Sequence, residues 1–537
     1  MTNISKIKVS DYAGKLAKAF IYNPLTPLLA LFLLTIGYLS LVITPREEDP
    51  QIEISGGTII VALPGNSAKE VENIIVKPLE EKLREISGIE HIYGIAADNV
   101  GIINVMYYIG ENREDSNLKL YDKVMQNIDL LPKGAMQPLI KPFDIDIDIP
   151  IVTIAFYAKD KQKISNTELF KKVRDLQYEF NAIENVSKTA LKGAKKEQFN
   201  VEVDLYKLSG YNLSLGQIMS ALKALATNVP DVKGRTKDNK LVVFGIKNAI
   251  ESTKDLENLI VASYMGSPIY LKDVATVSLG EDIQNKKSAQ ISFLENGKLT
   301  NLQDQITLSI SKLKGTNAVL VANEVKQKLQ QYKDELEKEG IGFVLTRDYG
   351  KRANEAVNEL VDHLLITILI IAAVLVVALG WRESLIVTFT VPAILALTLF
   401  IAYLTDQSIN RITLFAFLLS LGLLVDAAII VIENIHRHMH SHDSVDKAKD
   451  EIIIEATDEI GAPTNVATLA IILTMVPMAF VGGMMGEFMK PIPYNVPVAL
   501  FASLVVAYIF TPYLANKMLK KHKMHHHKKS HKKEDHV

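Results

Sequence analysis

Residues Leu418–Asn434 read LLSLGLLVDAAIIVIEN, an apolar run interrupted by one carboxylate, Asp426, before it closes on Glu433 and Asn434. A helix needs about 20 mostly apolar residues to cross the roughly 30 Å hydrocarbon core of a bilayer. Leu414–Ile432 has that length and composition. Placing an ionised carboxylate in lipid costs several kcal/mol, so such residues face a bundle interior or a wet cavity and serve transport or proton movement. Desolvation disfavours the charged form of a carboxyl group, so a residue in this setting is able to take up and release a proton. A proton crossing 100 mV yields about 2.3 kcal/mol, which drives a conformational cycle if protonation favours one of two states. The other reading is a permanently neutral aspartic acid hydrogen-bonded between helices. Asp426 is carried forward as the proton-relay residue. Its small neighbours Ser420, Gly422, Ala427 and Ala428 let another helix approach closely. Glu433, on the same face near the far end, reads as an interfacial carboxylate. A relay wants a basic partner, and no Lys or Arg stands at matching depth in the apolar runs.

Five further runs have the same character: Leu25–Ile43, Leu364–Leu379, Leu385–Leu404, Val466–Val481 (short, and carrying Pro477) and Val496–Leu514. Leu25–Ile43 is too long for a signal-peptide core and lacks a small-x-small cleavage site, so it reads as a retained span. The fold class expected is a multi-span α-helical membrane protein with six transmembrane helices and a large α+β domain between the first and second. Lys and Arg near span ends mark the cytoplasmic side. Lys6, Lys8, Lys15 and Lys18 precede the first span, and the tail carries a run of lysines from Lys517 to Lys533. Both termini are therefore expected in the cytoplasm, as arms 1–24 and 515–537, with residues 364–514 forming helices two to six. The loop expected at Asn434–Ala462 has more acids than bases, but acidic residues count little in this rule.

The polar region reads as a repeat. Thr58–Leu63 alternates like a strand and closes on Pro64-Gly65. Ser67-x-x-Glu70 has the form of a capping box, with Val71, Ile74, Ile75, Leu79, Leu83 and Ile86 at helical spacing behind it, and Gly88 ends that helix. His91–Ala96 and Gly101–Ile109 follow as strands. A helix at Ser116–Ile128 is expected to bury Leu118, Tyr121, Met125 and Ile128. The pattern returns with a strand at Ile151–Ala158, a capping box at Ser165-x-x-Glu168 and a buried stripe of Leu169, Val173, Leu176 and Phe180. Strands near Val186–Leu191 and Phe199–Val203 follow. Two such units imply tandem split-βαβ, ferredoxin-like subdomains, at 44–150 and at 151–196 with 279–345. Residues 197–278 form an insertion with short strands at Lys240–Ile246 and Pro268–Leu271. A helix at Ala318–Glu339 closes the second subdomain.

The 537-residue chain balances 59 basic against 61 acidic residues, which gives a nucleic acid no charged surface to read. With no cysteine there is no disulfide, thiolate zinc site or cysteine nucleophile. No Gly-rich loop ending in Lys-Ser/Thr is present, so ATP is not expected as the energy source. No enzyme chemistry, cofactor or metal site is expected. Six histidines in the tail (His522, His525, His526, His527, His531, His536) and the tract His436-x-His438-x-His440-x-His442 have the density of weak metal-binding segments. The reading preferred for the tail is a Lys/His segment attracted to anionic membrane lipid.

Several segments carry a family resemblance: Thr44-Pro-Arg-Glu-Glu-Asp-Pro-Gln-Ile52 after the first span, Leu63-Pro-Gly65, Trp381-Arg-Glu-Ser384, Val425-Asp-Ala-Ala-Ile429 with Val431-Ile-Glu-Asn434, Val476-Pro-Met-Ala-Phe-Val-Gly-Gly483, and Thr511-Pro512. With this order of spans the chain resembles the N-terminal half of resistance–nodulation–division (RND) efflux transporters of the acriflavine-resistance type. The resemblance implies a secondary active transporter, a homotrimer in a bacterial inner membrane that exports drugs, small amphiphiles or metal ions by proton antiport. It implies periplasmic porter subdomains, a docking insertion at 197–278, and contact with a periplasmic adaptor protein and an outer-membrane channel. Asp426 sits where the family's fourth-helix proton-carrying aspartate lies. Multidrug members usually have two adjacent aspartates there, whereas Ala427 follows Asp426 here, a pattern shared with the metal-exporting branch. Family members typically join two such halves, so a missing C-terminal half or a partner subunit is expected to bring the basic relay partner. The alternatives are a six-span protein-secretion auxiliary of related type and a non-transporting half-length remnant.

Overall fold

A computed structural model describes residues 9–519 apart from short stretches at 53, 144–147, 161, 194–195, 226–231, 245–249, 251, 265, 283–286 and 442–446. His442, the tail from 520 onward with its six histidines, and the end of the strand expected at Lys240–Ile246 lie outside the described residues.

A short amphipathic helix, α1 (Tyr12–Phe20), is N-capped by Asp11, whose carboxylate accepts from the Ala13 amide. α2 (Leu25–Ile43) is the first of six helices among the described residues that are long and apolar enough to cross a membrane. The chain then enters a four-stranded antiparallel sheet of β1 (Gly56–Ala62), β2 (Ile89–Ala97), β3 (Val100–Tyr107) and β4 (Leu139–Pro142), ordered β2-β3-β1-β4. One face is covered by a helix in three pieces (Ala68–Val71, Glu72–Val76, Lys77–Leu83) and by α3 (Arg113–Gln126). The middle piece is a π turn: the Lys77 amide bonds the Glu72 carbonyl five residues back, directly before Pro78, which has no amide to give. The extra residue turns Ile74 outward, while Val71, Ile75, Leu79 and Leu83 are buried as expected.

The second sheet contains β5 (Val152–Ala158), β6 (Val186–Lys192), β7 (Gln303–Lys312) and β8 (Ile341–Asp348), ordered β6-β7-β5-β8, with Ala289–Ile291 added beside the start of β7. The two sheets therefore share the order second, third, first, fourth. α4 (Asn166–Asn181) and α5 (Ala318–Lys338) cover one face, burying Leu169, Val173, Leu176 and Phe180 against Ile154 and Phe156. Ser165 and Glu168 cap α4: the Ser165 amide donates to Glu168 Oε2 at 2.9 Å and the Glu168 amide to Ser165 Oγ at 3.3 Å. Strands Glu197–Val203 and Ala275–Glu281 pair antiparallel beneath a smaller region with its own core of Leu208, Ile218, Leu256 and Leu271.

The chain returns through α6 (Tyr349–Ala378), α7 (Trp381–Leu404), α8 (Arg411–Met439), α9 (Lys449–Met475) and α10 (Pro491–Met518). α7, α8 and α10 form the centre, with half or more of their apolar stretches buried, whereas α2, α6 and α9 are mostly exposed.

Three expectations need correction. The loop expected at Asn434–Ala462 is mostly helix, because α8 runs to Met439 and α9 begins at Lys449. The span expected as short is consequently long, and Pro477 falls in a 3-10 turn (Val476–Phe480) at its end. On α3 the buried stripe is Ser116, Leu120 and Val124, whereas Leu118, Tyr121 and Ile128 are 67%, 52% and 42% exposed. The sheet takes the stripe of Leu120 and Val124, for which Gly57 of β1 leaves room: a Cβ there would lie 2.7 Å from Leu120 Cδ2.

Candidate functional site

Asn410 starts α8 by accepting the Ile412 and Thr413 amides, each at 3.0 Å. Leu414, Phe417, Leu421, Leu424, Ala428, Val431 and Ile435 of this helix are buried, and it packs mainly on α10, α9 and α7. Phe415, Leu419, Gly422, Asp426 and Glu433 are exposed, and their three- and four-residue spacing (doubled before Glu433) makes one face of a 3.6-residue helix. At 1.5 Å per residue Asp426 lies about 22 Å from the Arg411 end and about 20 Å from the Met439 end, at mid-depth. Among the described residues it has no hydrogen-bond or ion-pair partner. Of the small neighbours, Ser420, Ala427 and Ala428 are buried within the chain's own bundle. Gly422 alone stays on the open face, where a Cβ would meet nothing within 4 Å.

Both ends of α8 are anchored by polar contacts. At the Met439 end, His436 Nδ1 lies 3.0 Å from Glu383 of α7, and His438 Nε2 lies 2.5 Å from Glu459 of α9. Asn434 donates to the Ala456 carbonyl at 2.7 Å. The His436 and His440 rings stack at 4.3 Å. Residues two apart on a helix point to opposite sides, so the tract is divided between neighbours rather than gathered. Among the described residues no group of three His, Asp or Glu converges as a metal site.

At the other end, residues 44–52 form a junction. The Glu47 amide donates to the Ile409 carbonyl and the Arg411 amide to the Glu48 carbonyl, which fixes the segment to the start of α8. Arg411 also pairs with Asp49. Arg46 reaches Asn354, and Glu48 pairs with Arg352 at 2.8 Å, both on α6. Towards the second sheet the Ala318 amide donates to the Arg46 carbonyl at 3.1 Å. Lys312, the last residue of β7, places Nζ 2.6 Å from Glu47 Oε1, and both side chains are buried. Gln51 Nε2 donates to the same oxygen at 2.6 Å. The helix carrying Asp426, the helix α6 and the second sheet unit are thus held by one short segment.

The face of the second sheet not covered by helices carries Tyr157, whose ring lies 5.0 Å from that of Phe293. Gln305 is opposite Tyr157 in register, and its side-chain oxygen is buried without a hydrogen-bond partner among the described residues. Sequence reasoning identified Asp426 but neither this face nor the Glu47–Lys312 pair. For the junction the available signal was a dense set of charges, Arg46 to Asp49, directly after an apolar span. The arrangement as a whole places a mid-helix carboxylate on a helix whose end is tied to a sheet unit outside the bundle.

A family model described as the AcrB/AcrD/AcrF family matches residues 16–536. An uncharacterized transporter of Haemophilus influenzae is 26% identical over 514 residues, which cover 95% of this chain and 48% of that protein. The swarming motility protein SwrC of Bacillus subtilis is 25% identical over 515 residues, 89% of this chain and 47% of that protein. The chain spans about half the length of the curated relatives it matches.

Proposed function

Since the chain belongs to the AcrB/AcrD/AcrF family, a family of RND-type transporters embedded in membranes, we propose that it is a proton-driven exporter subunit, or one half of an exporter, with Asp426 as its proton carrier. The observation that carries this reading is the position of Asp426: mid-helix, on an open face, with no partner among the described residues. A lone charge facing lipid is costly, so in the working assembly that face is covered by protein from outside residues 1–537, which brings the cation. Gly422, one turn away, leaves room for that helix.

The remaining parts follow the same reading. The six long helices are membrane spans, and both termini are cytoplasmic. The two sheet units are ferredoxin-like porter subdomains, a reading supported by their shared strand order. They lie in the periplasm, with 197–278 turned towards an adaptor protein and an outer-membrane channel in a trimer. The substrate is a small amphiphile, a reading supported by the aromatic pair Tyr157 and Phe293 on the sheet face away from the helices.

Export by cells expressing Asp426→Asn tests the role. Loss of export with unchanged protein in the membrane is expected. Unchanged export removes Asp426 from the mechanism.

A further inference from the structure

The Met439 end of α8 lies near both ends of the described chain. There Asp458 of α9 accepts from the Ser10 and Asp11 amides, and Lys449 donates to the Leu519 carbonyl at 2.6 Å. Two histidines at this end face different neighbours. His436 Nδ1 lies 3.0 Å from Glu383 Oε1 in the first turn of α7, and His438 Nε2 lies 2.5 Å from Glu459 Oε2 of α9. Glu383 is only 13% exposed, and His436 is its partner among the described residues. α7 is braced at the same point, because Ser384 Oγ donates to the Ala372 carbonyl of α6 at 2.8 Å. The two pairs therefore tie the helix that carries Asp426 to α6 and α7 on one side and to α9 on the other.

Histidine is the side chain whose charge ordinarily changes between about pH 5 and pH 8. A neutral ring already donates a hydrogen bond to a carboxylate, and a second proton turns the contact into an ion pair. The other charges at this end are engaged elsewhere or act on the same two pairs. Arg437, on α8 itself, shares Glu459 with His438, so the His436 half carries more of the response. The His440 ring stacks on His436 at 4.3 Å, which disfavours charge on both rings at once. Glu433 lies on the open face. On α7, Arg382 sits over the Trp381 ring. On α9, Glu455 pairs with Lys447, and Asp458 holds the start of α1. On α10, Lys517 sits over the Tyr513 ring, and α6 has no ionisable residue from Leu364 to Leu379.

We propose that the two pairs form a proton-operated clasp: as the pH on this side falls, charging of His436 and His438 holds the end of α8 against α7 and α9. On the export reading this side is the cytoplasm, so protons delivered by the cycle close the clasp and slow export, a feedback on acid load. The inference rests on that reading for the side and the consequence, and not for the closure.

The test is hydrogen exchange on the full chain in phosphatidylcholine nanodiscs at about pH 5.5 and about pH 8, either side of the histidine range, with each rate divided by its intrinsic value at that pH. Protection of the amides from Ile435 to Met439 is expected to be about three- to five-fold higher in the acidic buffer, the size of a partly exposed ion pair. The double variant His436→Gln with His438→Gln is expected to abolish the difference, because each new amide keeps a hydrogen bond to its carboxylate but takes up no proton. Glu383→Gln is expected to remove the larger part of it with both rings in place. Equal protection at the two pH values in the wild type, or a difference that persists in the double variant, overturns the proposal. Asp426→Asn is expected to keep the difference, so a failure of the proton-carrier role is told apart from a failure of the clasp; a difference lost in that variant assigns the response to Asp426 and overturns the clasp. Export from cells held at an internal pH of about 6 is expected to be faster in the double variant than in the wild type, and equal export overturns the feedback.

Discussion

Replacing Lys312 with methionine leaves Glu47 as an unpaired carboxylate inside the junction. The two side chains are 8% and 6% exposed and 2.6 Å apart, and methionine preserves most of the apolar stem, so the change removes little besides the charge and its hydrogen bonds. Removing one partner of a buried pair costs about 3–5 kcal/mol. Gln51 still donates to Glu47, which places the expected cost near the lower end, about 3 kcal/mol. At 1.36 kcal/mol per decade that is roughly a 150-fold rise in the population of the opened junction. Hydrogen exchange on the chain in nanodiscs reads this at the amides of Glu47, Ala318 and Arg411, whose bonds to Ile409, Arg46 and Glu48 hold the segment in place. They should exchange roughly 150-fold faster, while amides in the middle of β5 stay protected. The double variant Glu47→Leu with Lys312→Met should return close to wild type, because apolar replacement of both partners of a buried pair is often neutral or stabilising. Wild-type exchange in Lys312→Met, or a double variant as open as the single one, would refute the claim that this pair holds the bundle to the second sheet unit.

Other outcomes follow from packing and caps. A Cβ at Gly37 would lie 2.3 Å from Ala396 Cβ, so Gly37→Ala should force α2 and α7 apart and cost about 1–3 kcal/mol in an unfolding titration; an unchanged midpoint would mean the helices reseat freely. Gly422→Leu faces open space within this chain, so thermal stability of the chain alone should not fall, whereas export should be lost if another helix lies there. Ser165→Ala removes the cap of α4 and should cost about 1 kcal/mol, read as faster exchange in its first turn. The Ser165 amide and hydroxyl hold the Glu168 carboxyl below its usual 4.5. A depressed carboxyl contributes its stability above the ordinary value and loses it as the pH falls through the lowered one. Protection of the Ser165 amide, taken relative to its intrinsic exchange rate at each pH, should therefore be constant from neutral pH down to about 4.5 and fall only in more acidic buffer; a loss of protection already at pH 6 would contradict this assignment.

How much was legible depended on the distance over which each feature is decided. The helix around Asp426 was readable because hydrophobic period and length are local properties. The caps at Ser67 and Ser165 were readable for the same reason, since each is closed by residues three apart. α3 shows where this stops: period identified two apolar stripes, and which one is buried depended on the sheet beneath it. The length of α9 was also hidden, because its first half, Lys449–Ala462, is polar enough to read as a loop and is helical through packing against α8 and α1.

The sequence by itself determined the long apolar helices, the mid-helix position of Asp426, the recurring strand and helix pattern and the family, because each rests on composition or spacing within a few turns of chain. Only the tertiary structure decided that Asp426 points away from its own bundle. It also decided that Lys312 closes on Glu47 across 265 residues. Those are relations between segments far apart in the chain. Desolvation, charge balance and open space are set by which distant surfaces come to lie against one another, and spacing along the chain carries no record of that.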